Sequence, residues 1–97
     1  MLAMFNLSLI QKTPPEIAGE LAQNVRARRK EAHLSQLALA KKSGVSLGSL
    51  KRFESTGEIS LFSLLKIAIA LDCEDDFTQL FARKHYRSIQ EVIDEQD

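Results

Sequence analysis

The side chains able to do chemistry are unevenly placed along this chain. Residues 26–52 contain Arg26, Arg28, Arg29, Lys30, Lys41, Lys42, Lys51 and Arg52 against Glu31 alone, a net charge of +7. The stretch before them sums to −1 and the stretch after them to −6, so the whole chain is neutral. A concentration of cations of this kind is the footprint of a surface that touches phosphate, while a solvated basic helix face is the other reading of the same charges. Cys73, His33 and His85 could supply a nucleophile or a metal ligand. They stand singly, without ligand spacing or an activating motif, so neither thiol catalysis nor a metal centre is expected, and no cofactor. Asp72, Glu74, Asp75 and Asp76 lack the alternating ligands and glycine of a calcium loop and read as the solvated start of a helix.

The chain that must position these groups has 97 residues, 44% hydrophobic and 27% charged. That length supports one small core, and the composition is that of a globular domain, not of a disordered chain. It is short for a nucleotide-binding or barrel enzyme, and no nucleophile–base pair or phosphate loop points to catalysis, so an enzyme is not expected. A single cysteine excludes an intrachain disulfide. No run approaches the ~20 apolar residues of a membrane span. The apolar Met1–Ile10 has no basic stretch before it and no clear cleavage pattern, so a cytoplasmic protein without a secretory signal is expected.

Residues 1–13 read as an arm, 14–82 as one helical domain and 83–97 as an extension. In the arm, Phe5, Leu7 and Leu9 alternate with polar residues, the period of a strand; a dimer strand and a tail without fixed structure both remain open. Thr13-Pro14-Pro15-Glu16 is a capping box with proline at the first helical position. The helix it starts, ending near Ala32, carries Ile17, Leu21 and Val25 on one apolar stripe. Ser35 caps a short second helix, Gln36 to Ser43, with Leu39 and Ala40 inward. Gly44 ends it in a left-handed residue, Val45 plugs the turn, and Ser46 caps a third helix from Leu47 to about Ser55. There Leu50 and Phe53 face inward, while Leu47, Gly48, Ser49, Lys51 and Arg52 face outward. Gly57 turns the chain toward a fourth helix, capped by Ser60, whose Leu61, Leu64, Leu65, Ala68 and Leu71 form one buried side. Asp75 and Asp76 open a fifth helix with Phe77, Leu80 and Phe81 as core. Ser88 and Glu91 can box a brief terminal helix. The expected class is all-α: five helices, two of them joined by a helix-turn-helix signal, with an arm at each end.

The stretch Leu34-Ser35-Gln36-x-x-Leu39-Ala40-x-x-Ser43-Gly44-Val45-Ser46, followed by Leu50-x-x-Phe53-Glu54, resembles the Cro/repressor class of helix-turn-helix domains, the XRE family. Leu64-Leu65-x-Ile67-Ala68-x-Ala70-Leu71 and Leu80-Phe81 extend the resemblance over roughly residues 17–82. It implies a lambda-repressor-like fold and double-stranded DNA as partner. Gln36 matches a position that contacts phosphate, and Ser46 one that caps and also reaches the DNA backbone. Leu47, Gly48, Ser49 and Arg52 match positions that face base edges. Arg52 is suited to pair with a guanine edge. Lys51, Arg26 and Lys30 fall among outer cations that meet phosphate or solvent. Arg29 and Glu54 match a structural ion pair between the first and third helices. Gly48 departs from the pattern by bringing no side chain, and Leu37 and Ala38 depart where charged residues are usual.

Two functions are compatible with that resemblance. One is a sequence-specific repressor, binding a palindromic operator as a homodimer. The other is an antitoxin that represses its own operon and binds a HipA-like kinase toxin. The segment Leu47–Glu54 with Thr56-Gly57-Glu58-Ile59-Ser60 resembles the branch with HipB-like antitoxins, and an apolar arm suits protein binding.

Overall fold

A computed structural model of the chain describes residues 11–84. Among the described residues five helices follow one another: α1 (Pro14–Glu31), α2 (Gln36–Ser43), α3 (Leu47–Thr56), α4 (Leu61–Ala70) and α5 (Glu74–Thr78). The described residues contain no strand. The expected strand at Phe5–Leu9, the terminal helix near Ser88 and Glu91, and His85 all lie outside the described residues.

Local chemistry sets the helix starts. Thr13 accepts from the Glu16 amide at 3.3 Å while the Glu16 carboxylate accepts from the Thr13 amide at 2.8 Å, with Pro14 behind them. That backbone hydrogen bond, seconded by the Thr13 hydroxyl, holds the Glu16 carboxyl below its ordinary value. Ser35, Ser46 and Ser60 each accept from the amide three residues on, at 3.0–3.1 Å. The capping hydroxyl satisfies a donor that the helix itself leaves orphaned. Arg28, Arg29 and Lys30 occupy the last turn of α1, where the helix dipole favours cations.

Two helices end on glycines, Gly44 at φ 77° and Gly57 at φ 82°. At Gly57 the requirement is double. Positive φ disfavours a side chain, and a Cβ there would lie 2.9 Å from the Ala18 carbonyl carbon. α1 therefore crosses directly over the turn that closes α3.

Leu39, Leu50 and Ile67 are fully buried, with Ala40, Val45, Ala70 and Leu71 around them. A second cluster joins Ala22, Phe53 and Leu64, and Val25 and Ile59 touch both. α3 thus sits between α1 and α2, and α2 also packs on α4. One helix face is consumed in this way, so the polar face of α3 is left outward.

Three expectations need correction. Ile17 is exposed: Leu21 and Val25 of its stripe are half-buried against the core, but a four-residue repeat drifts around a 3.6-residue helix, and the buried positions of α1 are Ala22 and Arg29, offset from that stripe. In α4 and at its C-cap the buried residues are Leu64, Ile67, Ala68, Ala70 and Leu71, while Leu61 is exposed and Leu65 only half-buried. With Ser63 and Lys66 as its only polar residues, the helix gives little pattern from which to choose its inner face. α5 stops at Thr78, so Leu80 and Phe81 lie beyond it; Phe81 is 95% exposed at φ 61° and is not core.

Candidate nucleic-acid interface

The turn between α2 and α3 determines how α3 is presented. The Gly44 amide bonds to the Ala40 carbonyl at 2.9 Å, the left-handed glycine redirects the chain, and buried Val45 pins the corner. Ser43 reinforces it, accepting from the Val45 amide at 3.2 Å and donating to the Ala40 carbonyl at 3.3 Å. Ser46 then restarts the helix. With Leu50 and Phe53 fully buried, Gly48, Ser49, Lys51 and Arg52 stand exposed on the opposite face. Leu47 differs from the expectation for it: it is half-buried against the Leu39–Leu50 cluster, because the first turn of α3 still leans on the core.

Beneath α3 lies a buried ion pair. Arg29 donates through Nε to Glu54 Oε2 at 2.8 Å and through Nη2 to Oε1 at 3.0 Å, and its Nη1 reaches the Leu34 carbonyl at 2.8 Å. Gln36 Nε2 adds a third donor to Glu54 Oε1, at 3.0 Å. Burial pushes the Glu54 carboxyl up, but the hydrogen bonds from Arg29 and Gln36 outweigh it, and the group ends below its ordinary value. The bidentate fork ties α1, the loop before α2 and the end of α3 into one frame.

The remaining site residues sort by exposure. Gln36 is half-buried at the first position of α2. One hydrogen of its side-chain amide is engaged by Glu54. Ser46 and Ser49 share a hydroxyl–hydroxyl hydrogen bond of 2.9 Å at the start of α3. Arg26, Lys30 and Lys51 are exposed. Gly48 is exposed, and an added Cβ would meet nothing within 4 Å, so the fold itself does not demand glycine there.

Arg52 is not a free cation. Its Nη2 donates to Glu58 Oε1 at 2.5 Å across the turn that follows α3. In the sequence Glu58 is marked only as part of that turn. The signal for the pair is the reversal at Gly57, which folds Glu58, six positions on, back toward Arg52.

Cys73 and His33 do not converge. Cys73 is half-buried and accepts from Arg28 Nε at 3.3 Å, while His33 is exposed in the turn after α1. Among the described residues no group of three histidine, cysteine or carboxylate side chains could hold a metal ion. No described helix is long and apolar enough to cross a membrane.

A helix-turn-helix family model matches residues 25–77, more than half of the chain, and the match runs from within α1 to within α5. No curated protein and no solved structure matches. The fold, the capped and glycine-turned α2–α3 unit and the family match agree: this chain belongs to the XRE-type helix-turn-helix family of DNA-binding regulators.

Proposed function

We propose that the protein is a sequence-specific transcriptional repressor that binds a palindromic operator as a homodimer and acts in the cytoplasm by occluding a promoter. The observation that carries this reading is the exposed row Gly48, Ser49, Lys51 and Arg52 on a helix whose other side is locked by Leu50 and Phe53. In this reading α3 enters the major groove. Arg52 pairs with a guanine edge, Ser49 hydrogen-bonds a base, Leu47 lies at the groove margin near a thymine methyl, and Gly48 lets the backbone approach. Gln36, Ser46, Lys51, Arg26 and Lys30 supply phosphate contacts that set register without reading sequence. Two copies place their α3 helices one DNA turn apart, ~34 Å.

The test is selection of duplexes from a random pool by the purified chain. The expected result is an enriched palindrome whose binding weakens steeply with salt. Arg52→Ala should then lose the preference for that palindrome and keep salt-sensitive binding to unrelated duplex. Unchanged preference in Arg52→Ala overturns the assigned readout.

The antitoxin reading draws on a different observation, the apolar side chains Phe62, Ile69, Leu80 and Phe81 exposed on α4 and beyond α5. Its test is co-expression with a HipA-like kinase encoded beside the gene. A stable complex supports it, and separate elution of the two proteins counts against it.

A further inference from the structure

The contact between Arg52 and Glu58 has a consequence beyond helix presentation. We propose that Glu58 is a specificity-determining residue. Its carboxylate holds Arg52 away from the phosphate backbone and releases its remaining donors only to base edges. This inference rests on α3 being the DNA-reading helix.

The turn holds Glu58 in place. The Thr56 hydroxyl donates to the Arg52 carbonyl at 2.7 Å and accepts from the Glu58 amide at 3.1 Å, and the Gly57 amide bonds to the Phe53 carbonyl at 2.7 Å. Gly57 is itself clamped under Ala18. The carboxylate is therefore carried by structured backbone. Arg52 and Glu58 also share a shallow depression with Ser49, Ile59, Ser60 and Ser63, on the outward side of α3.

The other acids around the basic stretch are differently occupied. Glu54 is buried beneath Arg29, and Glu31 lies 3.6 Å from Arg28. Glu58 is the carboxylate that stands exposed against the candidate reading residue, its side chain 65% accessible.

Simple chemistry separates the two targets that duplex DNA offers Arg52. A phosphate is an anion: to bind it, Arg52 must leave Glu58, or Glu58 must sit beside a second negative charge. Either route costs Coulomb energy. A guanine edge offers two neutral acceptors, O6 and N7. A guanidinium has five N–H donors, and Glu58 occupies one of them, so Arg52 can engage guanine while the ion pair stays intact. The cytosine of the same base pair presents an N4 amino donor that a carboxylate accepts. Glu58 therefore penalises non-specific binding more than specific binding, and raises the ratio between them.

The test compares the full-length wild-type chain with Glu58→Gln on the selected palindrome and on an unrelated duplex, across a salt series. Glu58→Gln is expected to bind the unrelated duplex roughly two- to fivefold more tightly, the equivalent of an exposed ion pair. Its log–log salt slope should be steeper by about 0.9, one additional phosphate contact. Affinity for the palindrome should change less, so the specificity ratio falls. Two comparisons separate a gate on Arg52 from general charge. Glu31→Gln removes the same charge and should leave the ratio unchanged, and in an Arg52→Gln background the effect of Glu58→Gln should shrink. An equal effect in that background, or an equal effect of Glu31→Gln, overturns the gate. So does a Glu58→Gln chain with wild-type affinities and slope while the wild type itself prefers the palindrome. A wild-type chain without salt-dependent duplex binding or preference instead overturns the DNA-reading assignment and the gate with it.

Discussion

Two arginine–glutamate pairs flank α3, and they do opposite things. In one, Arg29 and Glu54 are 9% and 4% accessible, joined by two hydrogen bonds and further tied to Gln36 and the Leu34 carbonyl. In the other, Arg52 and Glu58 are 69% and 65% accessible and joined by a single contact. The functional groups are the same, so burial makes the difference. In the interior a broken pair leaves a charge with no solvent to receive it, and the pair is committed to structure. In solvent water substitutes for either partner, the pair contributes little to folding, and its arginine can be redirected to another acceptor. The first pair builds the frame that holds α3; the second sits on the face that the frame presents.

The sharpest way to break this contrast is to remove one arginine at a time. Arg29→Ala strands Glu54 and should lower unfolding free energy by ~3–5 kcal/mol in urea denaturation followed by circular dichroism. For a domain of this size, that is a large part of its total stability. Arg29→Met combined with Glu54→Leu should recover much of the loss, since it removes both charges together.

Gly57→Ala attacks the segment between the two pairs. Positive φ and the close approach of Ala18 make it destabilising by roughly 1–3 kcal/mol, measured the same way, and it should displace Glu58 from Arg52. A chain of unchanged stability would mean that α1 does not press on this turn.

Acid titration is a gentler test of the buried pair. The folded-state value for Glu54 lies below its ordinary 4.5, so the stability that its ionised form contributes is fully present above that ordinary value. It is lost as pH falls through the depressed folded value. Melting temperature followed downward from pH 5 should drop more steeply for the wild type than for Glu54→Gln, which is less stable at neutral pH but lacks this carboxylate.

The smallest effect is expected at the exposed pair. Arg52→Ala or Glu58→Gln should change stability by only about 0–1 kcal/mol. A larger loss in either variant would show that the pair supports the fold and would erase the contrast with Arg29–Glu54.

Much of this architecture was legible because it is local. Thr13, Ser35, Ser46 and Ser60 announce four helix starts through hydrogen bonds that span three residues, and Gly44 and Gly57 announce two turns through backbone sterics. The inward pair Leu50 and Phe53 followed from helical spacing alone. The inner face of α4 and the role of Phe81 were not legible. The first carries only Ser63 and Lys66 as polar markers, and the second depends on where a five-residue helix stops.

The order of the elements, the glycine-turned α2–α3 unit and the location of the basic stretch are all readable from the chain, because each rests on residues close together in sequence. Which of its cations are available depends on the packed fold. Arg29 and Arg52 belong to the same net charge of +7, and the family resemblance sets Arg29 aside with Glu54, but nothing in the sequence sets Glu58 against Arg52. Packing of α1 across α3 buries the first against Glu54, and the reversal at Gly57 brings Glu58 to the second. Charge is a property of residues, but its availability depends on solvent exposure and on partners distant in sequence.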